Sequence, residues 1–384
     1  MNRNMMMLST TPWNSPYKFR RQHFSRVLAG RGWKVFYVDP TVSLPAKIRE
    51  LKWRALWAGD HRGRTLTESE EGRLRVFKPR TGWPYYYRGN RFTRWGRQAA
   101  RGALHRAARR FFGEEPYLQV LYNPFDYHLL RRELPVVFDI VDNWTSYPGM
   151  ERAADMIRAC QRMILQECRA LVATTDSLIP PDFDRGRATV IPNGVSMSLY
   201  PESALNGPEP ADLKALPRPR VIYTGALWEW FDFPLLAAVA EKMKDATFLL
   251  VGFNKKPLPP LPPNVRFLGP RKQTELPGYY AHCDVGLIPF REDELSLHVN
   301  PLKFYEYMAG GLPCVSVPMT PIRGYEGPGV LEIASGADAF ERAIRAQASR
   351  RASMIAERRR IAAAHDWDAL GLRFERVLEP LLSE

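Results

Sequence analysis

The clearest structural signal in the chain is the stretch Asn300-Pro301-Leu302-Lys303-Phe304-Tyr305-Glu306-Tyr307-Met308-Ala309-Gly310-Gly311-Leu312-Pro313. Asn300 is a favourable N-cap and Pro301 suits the first helical position, whereas Gly310-Gly311 is typical of a helix end. The stretch follows a short apolar run at 284–289, which predicts a strand. A helix that follows a parallel strand begins at the carboxyl edge of the sheet, where its free amides and its dipole favour an anion.

Lys303 and Glu306 lie three positions apart, so they share one face of this predicted helix. A cation near a helix start can meet phosphate charge, and a carboxylate one turn further on can accept hydrogen bonds from ribose hydroxyls. The pair therefore fits a nucleoside diphosphate. An exposed Lys–Glu pair on an ordinary helix is the alternative, which these two residues alone leave open.

Short apolar runs alternate with helical patterns along the chain, which predicts parallel strands joined by crossover helices. In the second half the predicted strands are 220–225, 247–252, 265–268, 284–289 and 313–317. In the first half they are 5–9, 34–38, 118–122, 136–141 and 171–175. The predicted fold class is therefore α/β, with two Rossmann-like, doubly wound domains.

A Pro-rich segment at 199–219 lies between the two halves and is typical of a linker. We predict an N-terminal domain at 1–198, this linker, a C-terminal domain at 220–364 and a final helix at 365–384 that packs back across the hinge. The cleft between two such domains is the expected binding site.

The composition is that of a globular protein, with 384 residues of which 45% are hydrophobic and 25% charged. No run of about 18 apolar residues would span a bilayer. Residues 1–11 are predicted to form a first strand and not a signal peptide. The four cysteines show no paired spacing, so reduced thiols and a cytoplasmic location are expected.

Positive charge is concentrated near the N-terminus. Residues 1–112 hold 25 Lys and Arg against 6 Asp and Glu, a net charge of +19, while the whole chain carries +14 and residues 113–384 therefore carry −5. This asymmetry indicates an anionic partner for the first half. A membrane surface, a nucleic acid and a phosphorylated substrate all fit.

The segment 91–112 is predicted to be a basic amphipathic helix. Aromatic and aliphatic residues interleave with its arginines, and Trp83 and Tyr85-Tyr86-Tyr87 precede it. This pattern favours an anionic membrane surface. The candidate contacts are Arg94, Arg97, Arg101, Arg106, Arg109 and Arg110. The alternative is an Arg-rich helix that covers its own domain. Because no recognised nucleic-acid motif appears, we expect no nucleic-acid partner.

Asp139 and Asp142 follow an apolar strand, where the functional residues of open α/β sheets gather. Asp142 is a candidate base or positioning group, with an N-cap role as the alternative. Their spacing predicts no metal site. Arg20, Gln22 and His23 open the first long helix and are candidates for contacts in the cleft with the donor phosphate or the acceptor.

Several motifs add to the helix stretch: Ile191-Pro192-Asn193-Gly194-Val195, Tyr223-Thr224-Gly225-Ala226-Leu227, Leu250-Val251-Gly252, Phe267-Leu268-Gly269-Pro270-Arg271 and 284–290. Together they resemble a GT-B glycosyltransferase of the retaining family-4 group, in the subgroup that includes teichuronic-acid biosynthesis enzymes. The resemblance covers about 187–345. In the first half it is carried by 20–24, 37–40 and 138–144.

The resemblance implies that two Rossmann-like domains face each other across a cleft, with the nucleotide-sugar donor on the C-terminal domain and the acceptor on the N-terminal one. Glu306 would bind the ribose and Lys303 the pyrophosphate. The remaining donor-binding candidates are Gly225, Arg271, Asn300, Pro301 and Leu302. No metal and no cofactor are required, because helix amides and cations neutralise the leaving diphosphate.

Two departures from the group concern phosphate charge and stereochemistry. His298 stands where the group usually carries a second acidic residue, and Leu227-Trp228-Glu229-Trp230-Phe231 replaces the usual Arg and Lys after the glycine loop. His298 is therefore a candidate contact for the transferred sugar or a phosphate. The phosphate charge falls to Lys303 or to other cations: Arg271, Lys272, Arg291 or Arg20.

We expect a metal-independent glycosyltransferase of the hexosyltransferase type, which retains the anomeric configuration of the sugar in preference to inverting it. The expected catalytic residues are Asp142, His298 and Glu306. It would move a sugar from a nucleoside-diphosphate donor, UDP-linked, to a saccharide or lipid-linked saccharide in cell-envelope polysaccharide biosynthesis. Its expected location is the cytoplasm, peripherally at the inner face of the cell membrane. The alternatives are a nucleotide-sugar epimerase of the same fold and a basic nucleic-acid-binding protein.

Overall fold

The computed structural model describes residues 2–15, 17–40, 64–68, 72–79, 91–147, 149–254 and 256–382, with the backbone alone at 64–68 and 91–97. The chain divides into two compact units. Unit 1 comprises Met1–Ile191 and Leu370–Glu384, and unit 2 comprises Pro192–Ala369. Each unit is described on its own below.

Unit 1 is built on one twisted sheet. Its strands are β1 (Asn4–Leu8), β2 (Lys34–Val38), β3 (Arg64–Glu68), β4 (Leu74–Lys78), β5 (Leu118–Leu121), β6 (Val136–Ile140), β7 (Ala170–Ala173) and β8 (Ala188–Val190). They lie in the order β3-β4-β2-β1-β5-β6-β7-β8. Neighbouring strands are parallel, apart from β3, which runs antiparallel to β4. The helices are α1 (Arg20–Gly30), α2 (Arg91–Phe112) and α3 (Ala154–Glu167).

Unit 2 contains a six-stranded, fully parallel sheet. Its strands are β9 (Arg220–Thr224), β10 (Thr247–Val251), β11 (Val265–Gly269), β12 (Val285–Ile288), β13 (Cys314–Ser316) and β14 (Leu331–Ile333). Their order is β11-β10-β9-β12-β13-β14. The helices are α4 (Glu202–Leu205), α5 (Phe233–Lys242), α6 (Leu276–His282), α7 (Glu294–His298), α8 (Leu302–Ala309), α9 (Ala337–Ser349) and α10 (Ile355–Ala364).

The predicted α/β class with two Rossmann-like sheets is confirmed. The central strands are buried along their whole length, as expected of parallel strands covered on both faces. Sequence patterns missed four strands: β3, β4, β8 and β14. Two of these have three residues, too few for a periodicity, and β4 alternates charged with apolar residues in a highly basic segment.

The division between the units differs from the predicted boundary at residue 198. It falls at Ile191 and Pro192, and the segment 199–219 is part of unit 2 and not a separate linker. The prolines of this segment interrupt regular structure, but Tyr200 and Leu213 are buried in the core of unit 2. Apolar residues between prolines can thus anchor a segment whose composition is that of a linker.

The last helix, α11 (Trp367–Leu378), begins in unit 2 and continues into unit 1 from Leu370. Within unit 1 the ring of Phe374 stacks on Phe24 at 4.7 Å between centroids. Nearby, the Glu375 carboxylate accepts a hydrogen bond from Trp33 Nε1 at 2.9 Å and pairs with Arg31. Residues 370–384 are therefore a structural part of unit 1.

Among the described residues, no helix has the length and apolar character needed to cross a membrane.

Candidate functional site

The start of helix α8 differs in one detail from its prediction. Pro301, and not Asn300, is the N-cap, and the helix begins at Leu302. The Asn300 side chain is used elsewhere: its Oδ1 accepts a hydrogen bond from the amide of Asn193 at 3.0 Å, and its Nδ2 donates to the Tyr305 hydroxyl at 3.1 Å. The capping role predicted for Asn300 is therefore wrong, because its side chain joins the loop at Asn193 to the helix.

The predicted Lys303–Glu306 pair is present, but it is not an ordinary exposed pair. Lys303 Nζ lies 2.7 Å from Glu306 Oε2, and Glu306 is only 7% exposed. The Tyr280 hydroxyl donates to the same carboxylate oxygen at 3.3 Å and contacts Thr224 Oγ1 at 2.7 Å. Burying a carboxylate is costly unless it is paired, and this cation and this hydroxyl donor offset that cost.

Two glycines bring the ends of β9 and β10 close to this pair. Gly225 has φ +143°, and a Cβ built there would lie 3.1 Å from Lys303 Cε. Gly252 has φ +156°, and a Cβ there would lie 1.8 Å from the Gly225 carbonyl oxygen. The structure thus brings together Gly225, Lys303 and Glu306, three of the predicted donor-binding residues.

Arg271 lies in a cluster that the sequence did not indicate. Its Nη2 pairs with Asp212 Oδ2 at 2.7 Å, its Nε donates to the Tyr279 hydroxyl at 2.7 Å, and its Nη1 donates to the Leu268 carbonyl at 2.6 Å. The hydrogen bond with Asp212 raises the pKa of Arg271. Asp212 was missed because it lies in the Pro-rich segment that was predicted to be a linker.

His298 is the last residue of the short helix α7. Its Nε2 lies 3.7 Å from Glu294 Oε2, and the Glu294 side chain is largely exposed. Three residues separate His298 from the start of α8 at Leu302. Its predicted contact with a sugar or phosphate stays a prediction.

An aromatic cluster occupies the loop where the sequence departs from the usual Arg and Lys. The rings of Trp228 and Trp230 lie 4.9 Å apart between centroids, and Trp228 contacts Phe253 edge-on at 5.8 Å. This loop follows β9 and the glycine at position 225. The aromatic run at 227–231 is visible in the sequence, but its residue types indicated no role for it.

In unit 1 the structure places three of the predicted cleft residues in the interior, where each has polar partners. Arg20 Nε and Asp139 Oδ2 form an ion pair at 2.7 Å, with Arg20 2% and Asp139 0% exposed. Arg20 Nη1 also donates to the Ile191 carbonyl at 2.6 Å. Gln22 is equally buried, and its side chain binds the backbone of Phe19 and Pro12. The ion pair joins the start of α1 to β6, and these contacts, unlike those of a free cleft group, are internal to unit 1. Contacts of the three residues with a donor or acceptor stay predictions.

His23 is half-buried, and its cleft role stays a prediction. Burial, followed by the charges of Arg26 and Lys18, lowers the pKa of His23 to about 3. Its ring is therefore neutral at pH 7.

Asp142 lies just after β6, and its predicted role as a base or positioning group stays a prediction. The Tyr147 hydroxyl donates to its Oδ2 at 2.8 Å. Burial raises the pKa of Asp142, while this hydrogen bond and the charge of Arg21 oppose the rise. The alternative N-cap role is wrong, because Asn143 caps the following turn by accepting from the Thr145 amide.

In the part of α2 whose side chains the structure describes, from residue 98 onward, the large apolar residues pack against unit 1. Leu104, Ala108 and Phe112 are buried in the core of unit 1, and Phe111 packs on Phe36. The helix covers its own domain, as the alternative interpretation expected. Three of its candidate arginines are exposed, namely Arg106, Arg109 and Arg110, while Arg101 is half-buried. Arg109 pairs with Glu114. The side chains of Arg94 and Arg97, and the aromatic residues 83–87, lie outside the described part.

Comparison with known proteins agrees with this architecture. Residues 218–349 match the family model of glycosyl transferases group 1. TuaH of Bacillus subtilis (strain 168), provisionally named a teichuronic acid biosynthesis glycosyltransferase, is 25% identical over 219 residues, or 52% of this chain. The match spans about half of that relative, 55% of its length.

Solved structures resemble the chain over its whole length. Sucrose-phosphate synthase from Thermosynechococcus elongatus has a TM-score of 0.72 at 16% identity and covers 100% of both chains. HepE of Anabaena, solved with UDP and glucose, has a TM-score of 0.65 at 13% identity and covers 99% of this chain and 100% of its own. Likenesses at such identities show the fold alone, and they confirm the predicted GT-B fold. The predicted resemblance is supported by the family match at 218–349 and by the similarity to TuaH.

Proposed function

We propose that the protein is a glycosyltransferase, because the chain has the GT-B fold and its residues 218–349 match the glycosyl transferases group 1. It moves a sugar from a nucleoside-diphosphate donor, UDP-linked, to a saccharide or lipid-linked saccharide. The observation that carries the proposal is the buried Glu306, paired with Lys303 at the start of α8 beside Gly225. The HepE structure contains UDP and glucose, and the name of TuaH refers to teichuronic acid, which supports a UDP-linked donor and a cell-envelope product.

Each part of this site matches a part of the donor. The Glu306 carboxylate can accept hydrogen bonds from the two ribose hydroxyls. The Lys303 ammonium has three donors, so it can keep its contact with Glu306 and still bind a phosphate oxygen. The first amides of α8, from Leu302 onward, have no side-chain cap and add positive potential for the diphosphate.

In this proposal, catalysis depends on stabilising the diphosphate as it leaves. No metal ion and no cofactor are required for this. Lys303 and the helix amides meet the charge that develops on the leaving group. His298 contacts the transferred sugar or a phosphate. In a retaining reaction Asp142 positions the acceptor, and in an inverting one it accepts the proton of the acceptor hydroxyl. We favour the retaining course, which the resemblance to the family-4 group implies.

The proposal places the protein in the cytoplasm, peripherally at the inner face of the cell membrane. Since the large apolar residues of α2 at 104–112 pack against unit 1, attraction between its exposed arginines and anionic lipids would provide the contact. Such binding depends on ionic strength and weakens as salt is added.

Calorimetric titration of UDP, GDP, ADP and CMP tests the donor site. We expect one nucleoside diphosphate to bind, and Glu306→Ala to lower its affinity about tenfold or more, because the hydrogen bonds to the ribose are lost. Glu241→Ala, an exposed glutamate on α5 of the same unit, is the matched control and retains the affinity.

Equal affinities for the wild type and Glu306→Ala would contradict the assignment of Glu306. A sugar-nucleotide with the base that binds is then incubated with saccharide acceptors. Sugar transfer supports the proposal, whereas isomerisation of the nucleotide-sugar without acceptor assigns the epimerase activity instead.

A further inference from the structure

The loop that follows β9, residues 226–231, lies beside the proposed donor site and is called the aromatic loop below. Its two tryptophans, Trp228 and Trp230, are half-buried, and their rings lie 4.9 Å apart between centroids. We propose that the aromatic loop contacts the transferred sugar of the donor, with the Trp230 indole packed against the sugar ring. This inference rests on the proposed function, because the sugar is taken to be part of a nucleoside-diphosphate donor.

The aromatic loop is connected to Lys303 through Tyr223. A Cβ built at Gly225 would lie 3.0 Å from the Tyr223 hydroxyl and 3.1 Å from Lys303 Cε, so both groups border the same glycine. The Tyr223 hydroxyl donates to the Ala226 carbonyl, at the start of the loop, at 3.0 Å. Burial raises the pKa of Tyr223, and contact with the Trp230 side chain opposes the rise. Trp230 is therefore next to the group that lines Gly225.

The contacts at the end of β9 also indicate a direction along the donor. Thr224 is linked to Glu306 through the Tyr280 hydroxyl, whereas Gly225, the next residue, borders Lys303. In the proposed donor site Glu306 binds the ribose and Lys303 binds the diphosphate. Because the sugar follows the diphosphate in the donor, the segment after Gly225 is the part of unit 2 that the sugar reaches next.

Backbone hydrogen bonds hold the aromatic loop in place. The Leu227 amide donates to the Phe253 carbonyl at 3.0 Å, and the Arg291 amide donates to the Trp230 carbonyl at 2.8 Å. The side chains of Leu227 and Phe231 are buried in the core of unit 2. A tryptophan on a loop fixed in this way loses little freedom when a ligand binds, which favours binding.

The residue types of the loop suit a sugar better than a phosphate. A pyranose carries C–H groups on its ring faces, and these can pack on the electron-rich face of an indole. The segment 226–231 contains no Lys, Arg or His, so its own side chains bring no positive charge to the diphosphate. The aromatic loop therefore adds contact area for the sugar, while Lys303 and the amides of α8 bind the diphosphate.

Calorimetric titration with UDP, UDP-glucose and UDP-N-acetylglucosamine separates the two ends of the donor. We expect Trp230→Leu to lower the affinity for the sugar nucleotide that the wild type binds more tightly about fivefold or more, because the ring contact is lost. The affinity for UDP, which has no sugar, should fall less than about twofold. Met354→Ala, which shortens an apolar side chain of unit 2 that is 48% exposed, is the control and should change none of these affinities.

Tryptophan fluorescence provides a second measurement in Trp230→Phe, a milder variant that keeps a ring at this position. The wild-type emission should change more with the sugar nucleotide than with UDP, and most of this difference should disappear in Trp230→Phe. Its affinity for the sugar nucleotide should fall less than that of Trp230→Leu, since the phenyl ring still packs on the sugar.

The results distinguish this inference from the proposed function. Equal losses of UDP and sugar-nucleotide affinity in Trp230→Leu, or a sugar-dependent emission change that persists in full in Trp230→Phe, would overturn the role of Trp230 and leave the donor site at Glu306 in place. A wild type that binds neither UDP nor a sugar nucleotide would overturn the UDP-linked donor itself, and this inference with it.

Discussion

Glu306 shows how a single buried carboxylate depends on residues from several elements. One carboxylate oxygen forms an ion pair with Lys303 of the same helix and accepts a hydrogen bond from the Tyr280 hydroxyl of α6. Tyr280 in turn contacts Thr224 at the end of β9. The Lys303–Glu306 contact could be predicted from sequence, because residues three apart on a helix are neighbours. The Tyr280 and Thr224 contacts could not, because they join residues 26 and 56 positions apart.

At the same scale, Gly252 has the least room for a side chain near the site. Gly252→Ala should lower the free energy of unfolding by about 1–3 kcal/mol, because its Cβ would overlap the Gly225 carbonyl and its φ disfavours an L side chain. Urea unfolding measures the change. Gly324→Ala, where no atom lies within 4 Å of the added Cβ, is the control and should change stability little. Equal stability of both variants would contradict the close approach of β9 and β10.

At the scale of helices and strands, sequence patterns predicted the strands of both sheets better than they predicted the functional residues of unit 1. Continuous apolar runs predicted the buried parallel strands, since such strands have little choice of residue type. By contrast, Arg20 and Asp139 have the residue types expected of a cleft, and only their burial shows that they form an internal pair across 119 positions. The amphipathic pattern of α2 likewise could not tell a membrane face from a core face.

Helix α8 is fixed at its C-terminal end by two arginines. Arg359 donates to the Ala309 carbonyl at 2.8 Å, and Arg351 donates to the carbonyls of Gly311 and Cys283 at 2.8 and 2.9 Å. Cations at this end of a helix satisfy free carbonyls and interact well with the helix dipole. Burial, opposed by the charge of Asp284, lowers the pKa of Arg351.

Arg351→Met should therefore reduce the free energy of unfolding by about 2 kcal/mol, since it leaves several carbonyls without donors. Thermal and urea unfolding measure this loss. Arg350→Met removes the neighbouring, exposed arginine and serves as the control, with an expected change within about 0.5 kcal/mol. An equal loss of stability in both variants would show that the contacts of Arg351 with these carbonyls do not stabilise α8.

At the scale of the whole molecule, residues 370–384 matter because they complete unit 1. Glu375 is 3% exposed and pairs with Arg3 and Arg31, while Glu379 pairs with Arg3 at the surface. The sequence predicted a final helix that packs back, but it did not indicate this carboxylate or its partners. Those partners lie more than 340 positions earlier in the chain.

Glu375→Ala should lower the free energy of unfolding by about 3 kcal/mol or more, because it leaves the Trp33 donor and two cations without their buried partner. Glu379→Ala should cost no more than about 1 kcal/mol, as is typical of exposed pairs. Urea unfolding of both variants measures the difference. Similar losses would mean that the segment is held by its apolar contacts alone.

The return of α11 to unit 1 also has a consequence for the order of folding during translation. All of unit 2, Pro192–Ala369, is contiguous in the chain and leaves the ribosome before Leu370–Glu384. Domains generally fold as units while the chain is being made. Unit 2 can therefore fold while unit 1, which was synthesised first, still lacks Phe374 and Glu375. Unit 1 can complete its fold only after this last segment has been synthesised.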